Sequence, residues 1–482
     1  MALTFRGGVH VDEHKTAKKN EIEIFPAPKF VSIPLSQHIG AHALPLVKVG
    51  DTVDKGQMIA NNEEARLSCP VHSSVSGRVV SIELGILQTG VKTYYIKIEN
   101  DYANRLHIGV KPFNKKINET TTDEIISVIK NAGISGLGGA MFPTYAKIQS
   151  AKDKVSTLIV NCAECEPYVT ANHRLMLEQP EMIINGMKIL LKALGLKVGY
   201  IAIEDNKLNA ADIITETAGK SKMVEIKILK AKYPQGDERQ LIYALTGKEL
   251  PSGKLPIDCG CVVFNAETCA AVCNAFIRGM PLIERVVTVD GDCIITPKNL
   301  RVPIGTPASA LIEYCGLKKE PKKIIKGGPM MGLAAFDIHT PVTKGTAAVL
   351  AFSGKQINTR DSACIRCGKC VESCPMSLLP SYLAMFSQNE DIAMCEKYDV
   401  FSCMECGCCT YICPASVPIV QHIRTAKGLI LEQHQKEEAM EKAKKADAPA
   451  APQEFKGSAA AARHIKNDID DKNYKNNKNE KQ

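Results

Sequence analysis

The sequence predicts a multidomain α/β protein, and three features point to it. The first hundred residues are short apolar runs broken by Gly, Pro and Asn. The middle alternates helical and strand patterns. Eight of the 19 Cys fall into two evenly stepped runs toward the C-terminal end. A chain of 482 residues also exceeds one ordinary domain, for which about 150 residues is common. Apolar content of 45% and charged content of 23% are those of a soluble globular protein. A net charge of +8 with 5% aromatic residues and no Trp offers no aromatic platform in a basic groove, so nucleic acid is excluded as a partner. No stretch reaches the roughly 18–20 apolar residues that cross a bilayer. Residues 1–19 are charged throughout, without the apolar core of a signal peptide. The chain is therefore expected in the cytoplasm, able to dock on a membrane protein. There its Cys serve metal binding, catalysis or packing rather than disulfides.

Residues 1–110 read as β, with strands near 30–34, 75–81 and 93–98. Val49-Gly-Asp-Thr-Val-Asp-Lys-Gly-Gln57 and Pro70-Val-His-Ser-Ser-Val-Ser-Gly-Arg-Val79 resemble the two halves of a biotinyl/lipoyl-type barrel-sandwich domain. No exposed Lys sits at the tip between them, so the resemblance implies a β-scaffold without a swinging arm. Residues 115–280 alternate. An amphipathic helix is predicted over 122–131, a strand over 156–161, a helix over 181–194 stopped by Gly195, and strands over 197–204 and 224–229. Such alternation argues for an α/β domain with a largely parallel sheet. Residues 284–335 turn β again, with a strand into Asp290-Gly-Asp292, a helix over 308–315 and the turn Gly327-Gly-Pro-Met-Met-Gly332. They resemble the soluble-ligand-binding β-grasp module. Residues 355–430 carry the Cys runs among helices. Residues 436–482, rich in Lys, Ala, Asn and Asp with few apolar anchors, are expected to be a disordered tail.

Cys364-x2-Cys367-x2-Cys370-x3-Cys374-Pro375 is the spacing of a two-cluster ferredoxin, and Cys403-x2-Cys406-x2-Cys409-x3-Cys413-Pro414 repeats it. Three thiolates on one tight turn cap three irons of a cube, and the fourth Cys, carried away by Pro, ligates the other cluster. One [4Fe–4S] cluster is then expected on Cys364, Cys367, Cys370 and Cys413, and a second on Cys403, Cys406, Cys409 and Cys374. Structural zinc, the alternative, prefers two separated Cys pairs. Leu378, Leu379, Leu383 and Phe386 fall at helical spacing between the runs, which favours a helical ferredoxin-type module. Cys408 is out of step and is read as a non-ligand. Two adjacent clusters form a relay for single electrons.

Gly133-Ile-Ser-Gly-Leu-Gly-Gly-Ala-Met-Phe-Pro-Thr144, followed by Lys147, is the second signal. Met141 holds the third glycine position of a dinucleotide fingerprint, and the loop follows a helix rather than a strand, so it is not a Rossmann fingerprint. Glycine lets backbone approach a flat or phosphorylated ligand, and its freed N–H groups bind anions. A plain Gly-rich connector is the alternative. Asn161-Cys-Ala-Glu-Cys-Glu-Pro167, Pro234-Gln-Gly-Asp-Glu-Arg-Gln240 and Val262-Val-Phe-Asn-Ala-Glu-Thr268 follow in order. Together these segments resemble the NADH- and FMN-binding subunit of respiratory complex I. That resemblance implies FMN near Gly136, Gly138, Gly139, Lys147, Asn161, Glu164, Gly236, Asp237, Asn265 and Thr268. It implies NADH near Phe142 and Glu166. Ala163 and Met141 depart from the family pattern. Glu164 and Glu166 as helix caps, and Phe142 as core, are the structural alternatives. Cys162 and Cys165 have no second Cys pair nearby and are read as interrupting a cofactor loop.

The full order, with Thr4-Phe-Arg-Gly-Gly-Val-His10 at the start, resembles the C-type subunit of the Rnf electron-transport complex over residues 3–430. This implies a barrel-sandwich domain, a Rossmann-like α/β FMN/NADH-binding domain, a β-grasp module, a helical two-cluster ferredoxin domain and a disordered tail. It implies a peripheral subunit on the cytoplasmic side of the cell membrane, bound to other subunits of Rnf A, B, D, E and G type. Such a complex exchanges electrons between ferredoxin and NAD(H) and couples that flow to Na⁺ or H⁺ movement. No side chain is assigned a catalytic acid–base role. The rival readings are an iron–sulfur relay without its own flavin or nucleotide site, and a component of a soluble bifurcating hydrogenase.

Overall fold

Apolar–polar alternation becomes β-sheet in the computed structural model, which describes residues 3–354 and 362–446. The chain divides into two units, Met1–Lys427 and Gly428–Gln482, and the sheets belong to the first. At the N-terminal end, Phe30–Pro34, Lys92–Asn100, Gly77–Ile86 and Thr52–Val53 pair antiparallel in that order. Leu44–Pro45, Met58–Asn61 and Val71–His72 form a smaller sheet. Their inward residues, among them Val31, Ile33, Ile59, Val79, Ile96 and Ile98, are buried in one core.

The α/β part carries a four-stranded parallel sheet in the order Val224–Leu229, Gly199–Glu204, Thr157–Asn161, Cys261–Asn265. In chain order this is third, second, first, fourth, so the winding reverses between the first and fourth strands. In open α/β sheets, that reversal opens a crevice beyond the C-terminal strand ends where ligands bind. The helix Thr122–Asn131 starts where Thr121 and Glu124 form a reciprocal cap. Gly195, in the left-handed conformation, ends Pro180–Leu194.

The sheet formed around residues 284–335 has six strands and is larger than that span suggests. Its order is Ile22–Ile24, Lys298–Pro303, Glu284–Asp290, Ala348–Phe352, Lys323–Lys326, Leu333–Ala334. The first strand arrives from the N-terminal region and pairs parallel with Lys298–Pro303. All five residues of Ala348–Phe352 are buried in the sheet. Both strands join at long sequence separation, which no local pattern reports.

Between the Cys runs lie the helices Pro380–Gln388 and Ile392–Lys397. Pro380 sets the helix start, so Leu378 and Leu379 precede it, while Leu383 is fully buried. The expected tail begins inside a helix: Ile419–Ala446 runs on through 436–446. Its Ala, Glu and Lys are strong helix formers, and Glu432 and Lys436 pair one turn apart. Residues 355–361, at the start of the expected ferredoxin domain, and 447–482 of the expected tail lie outside the described residues.

Candidate functional site: a strand-end crevice beside a Cys-lined cavity

Asn161 and Asn265 end the first and fourth parallel strands and stand opposite each other in register. They flank the crevice that the topology creates. Asn265 caps the helix Ala266–Arg278 by accepting from the Glu267 N–H. Asn161 donates to the Gly236 carbonyl at 2.7 Å and accepts from the Ala163 N–H. The glycine loop comes alongside. Its base is closed by Gly136 N–H to Phe142 C=O at 2.8 Å and by Thr144 N–H to Ile134 C=O at 3.0 Å. Leu137 N–H donates to the Thr268 hydroxyl at 3.0 Å, and a Cβ on Gly138 would lie 3.3 Å from Asn265. Gly138, Gly139 and Ala140 are exposed at the tip. Backbone therefore faces an open crevice at close range, the arrangement glycine permits and larger residues would fill.

Lys147 lies against the same strand end. Its ammonium donates to Val263 C=O at 2.9 Å, sits 3.8 Å from Glu238 and 5.7 Å over the Phe264 ring. Asp237 caps Glu238–Thr246 by accepting from the N–H groups of Arg239 and Gln240, and burial pushes its carboxyl up to about 6. Glycine loop, Lys147, Asn161, Gly236, Asp237, Asn265 and Thr268 thus converge around the two strand ends, with Phe142 half-buried at the loop base. Gln235, wholly buried beside Gly236, has both amide atoms without a protein partner among the described residues. A buried amide left unpaired costs about 1–3 kcal/mol. The exposed backbone of Gly138 and Gly139, beside Asn265 and Lys147, leaves room for a flat, anionic ligand, and in this respect the crevice fits a flavin.

The two acids are engaged by backbone N–H groups. Glu164 accepts from the N–H groups of Asn172 and His173 at 2.6 and 3.0 Å, at the start of the helix Ala171–Glu178. Glu166 accepts from Met330 and Met331 N–H at 3.1 and 2.9 Å, gripping the turn over 327–332, and burial pushes its carboxyl up to about 7. Sequence reasoning missed the residue that holds this loop. Lys15, buried, donates to the carbonyls of Glu164, Glu166 and Val169, and desolvation lowers its pKa. A Lys among N-terminal charges gives no sequence signal for this.

The Cys runs adopt one backbone twice. Arg366 and Glu405, at equivalent positions, have φ of 56° and 57°, and Gly368 and Gly407 follow at 80° and 82°. Arg366 N–H reaches Cys364 Sγ and Glu405 N–H reaches Cys403 Sγ, each at 3.4 Å. Such N–H···S bonds stabilise thiolates. Cys374, Cys403, Cys406 and Cys409, the set expected for one cluster, line a single cavity with Met376, Leu383, Met404, Val420 and Ile423. Cys408 lines the same apolar chamber as a fifth Cys, and the four expected ligands suffice for a cube that takes one thiolate per corner. Among the described residues no three Cys, His or acid side chains converge as on a single metal ion. Lys427 holds the Cys403 carbonyl at 2.6 Å and, with Arg424, pairs with Glu405. The other set is more open, with Cys364 and Cys367 exposed, Cys370 buried and Cys413 intermediate. Cys408, buried, sits with its thiol 3.9 Å from Tyr233 C=O.

Crevice and cavity share a wall. Tyr233, 1% exposed, donates its hydroxyl to Cys406 C=O at 2.7 Å. Gln240 reaches Pro375 C=O at 3.4 Å, and Cys165, whose sulfur accepts from Gly236 N–H, packs into the apolar group of Tyr233, Met330, Cys406 and Cys408. The N-terminal segment threads this wall. Val9 pairs with Tyr233, and Gly8 N–H donates to Ser373 C=O at 2.8 Å.

A parallel sheet with a ligand crevice at its winding reversal, abutting a thiol-lined chamber, is an architecture suited to an electron-transfer protein. Three family descriptions match in chain order: the RnfC barrel sandwich hybrid domain over residues 3–103, the Nuo51 FMN-binding domain over 129–274 and the SLBB domain over 286–334. The C-type subunit of the Na⁺-translocating ferredoxin:NAD⁺ oxidoreductase complex of Acetobacterium woodii is 41% identical over 437 residues, 90% of this chain and 98% of that one. Its proton-translocating counterpart in Clostridium ljungdahlii is 44% identical over 432 residues, 89% and 94% of the two chains. The C-type subunit of the ion-translocating oxidoreductase complex of Rhodobacter capsulatus is 40% identical over 442 residues, 90% and 84%. The chain belongs to this family, the C-type subunits of the Rnf ion-translocating oxidoreductases. A NAD⁺-reducing [NiFe]-hydrogenase structure aligns with 74% of this chain and 68% of its own at 19% identity and a TM-score of 0.47, a likeness too loose to argue from.

Proposed function

We propose that the chain is the NAD(H)-facing electron-transfer subunit of a membrane-bound ferredoxin:NAD⁺ oxidoreductase complex that couples electron flow to Na⁺ or H⁺ translocation. It would bind FMN and two [4Fe–4S] clusters and sit peripherally on the cytoplasmic side, held by the other subunits. No helix among the described residues is long and apolar enough to cross a membrane. When bound, FMN would exchange two electrons with NAD(H) and pass them singly to the clusters. The protein's own residues bind and orient. The glycine loop and Asn265 supply a close backbone wall, Lys147 supplies positive charge, and the loop ending in Asp237 closes the crevice toward the cysteines. The observation that carries this reading is the shared wall: Tyr233 bonded to Cys406 and Gln240 to Pro375 bring the crevice against the chamber of Cys374, Cys403, Cys406 and Cys409. These four cysteines would hold a cluster on the crevice side of the shared wall. The cluster on Cys364, Cys367, Cys370 and Cys413, nearer the surface, would face the partner subunits.

Anaerobic mixing of the flavin-loaded chain with NADH tests this. Bleaching of the flavin band followed by reduction of a cluster signal is the expected result. A flavin that NADH cannot bleach would remove the nucleotide site. The relay reading has one observation in its favour: Glu164 and Glu166 are spent on backbone N–H groups. A chain that takes up iron but no added FMN would establish it.

A further inference from the structure

The glycine loop is held from a second direction that the flavin-domain reading leaves unexplained. Arg285 is the second residue of the strand Glu284–Asp290, outside the α/β domain, and is 2% exposed. One arm of its guanidinium donates to Lys344 C=O, and the other donates to Glu267 Oε2 at 2.8 Å and reaches Leu137 C=O at 3.4 Å. Glu267 accepts a further bond from Val286 N–H at 2.8 Å. It lies in the first turn of Ala266–Arg278, between Asn265, which caps that turn, and Thr268, which takes the Leu137 N–H. Leu137, one residue before the exposed Gly138, is thus gripped at its N–H by the flavin-side helix and at its C=O by the β-grasp module. Lys344, also buried, donates to Gly133 C=O at 2.7 Å and Pro70 C=O at 2.8 Å, fixing the loop's first residue to the barrel-sandwich region.

We propose that Arg285 is a positioning residue for the cofactor crevice. Through the Leu137 carbonyl and Glu267, the β-grasp module sets the shape of the glycine loop and thereby the affinity for FMN. The inference rests on the flavin reading above. A planar guanidinium can hold three acceptors in fixed directions, whereas an ammonium on a flexible stem cannot. A full ion pair buried at this place strongly penalises removing one partner, so the informative change is one that keeps the charge.

The test uses the full chain, loaded with iron and sulfide under anaerobic conditions, and titrates FMN by fluorescence quenching. Arg285→Lys is expected to keep its iron and its melting temperature within a few degrees, while the Kd for FMN rises by about tenfold or more. In the flavin-loaded variant, the ratio of kcat to KM for NADH should follow flavin occupancy, with KM unchanged. A merely structural role would move the melting temperature and leave the FMN affinity of the folded fraction alone, and that result would overturn the proposal. Should Arg285→Lys fail to fold, Glu267→Asp carries the test. It keeps the charge, draws the carboxylate back from the guanidinium by one methylene and must still weaken FMN several-fold, and an unchanged Kd would sink the idea. Wild-type chain that binds no FMN would instead refute the flavin reading itself.

Discussion

Gly7→Ala isolates the contact by which the N-terminal segment supports the inner cluster ligands. Gly7 has φ of 67°, and a Cβ there would lie 2.7 Å from the Cys374 carbonyl oxygen and 2.9 Å from its carbonyl carbon. Two costs add. A left-handed conformation costs Ala about 1–2 kcal/mol. Overpacking against backbone that cannot rotate away costs about 1–3 kcal/mol more. Gly90 has φ of 84° with nothing within 4 Å of its would-be Cβ, so Gly90→Ala carries the first cost alone. Gly7→Asn carries mostly the second, since Asn tolerates that conformation. The clash falls on Cys374, so iron should drop from about eight per chain toward about four, with the other cluster retained. Iron counting and thermal melting under anaerobic conditions read both effects. If Gly7→Ala and Gly7→Asn keep all their iron and melt with Gly90→Ala, the segment does not support the Cys374 turn and the reasoning fails.

Three further outcomes follow from the same contacts. Lys15→Met leaves the carbonyls of Glu164, Glu166 and Val169 without their shared donor, so it should cost about 3 kcal/mol or more and release bound flavin, measured by denaturant midpoint and flavin content. Cys408→Ala should keep both clusters, whereas Cys374→Ser and Cys413→Ser should each lose one, and different ones by electron paramagnetic resonance. His72 is pushed down to about 3 by burial, against about 6.5 unfolded. The unfolded chain therefore binds more protons between those values, and stability falls as pH drops through 6.5. The single group accounts for about 2 kcal/mol lost by pH 5. His72→Gln should show a correspondingly smaller loss between pH 7.5 and 5, and an identical loss would mean the imidazole is not held neutral.

Much of this was legible in the sequence because its signals are local. The period-3.6 pattern gave the helix Thr122–Asn131, and the short apolar run gave the strand Thr157–Asn161. The stepped Cys and trailing Pro gave two turns that share one backbone form. What stayed hidden is long-range. The strand Ile22–Ile24 crosses into the six-stranded sheet, and Ala348–Phe352 lies within that sheet, yet neither carries a period that names its partner. Lys15 and Lys344 look like surface charges and are buried on carbonyls far along the chain. Glu164 and Glu166 show the opposite case: a family pattern assigns them to cofactors, while their side chains cap a helix and grip a turn. The run of helix through 436–446 reflects local propensity overriding a tail composition that lacks apolar anchors.

The pairing of a flavin with two clusters on one chain is decided by purifying the protein without oxygen after iron–sulfur assembly and quantifying iron, sulfide and released flavin in the same sample. About eight irons and one FMN per chain, with the flavin bleached by NADH, is the expected outcome. Eight irons with no flavin, even after FMN is supplied, would contradict it and leave a relay in which only the eight cysteines hold cofactors.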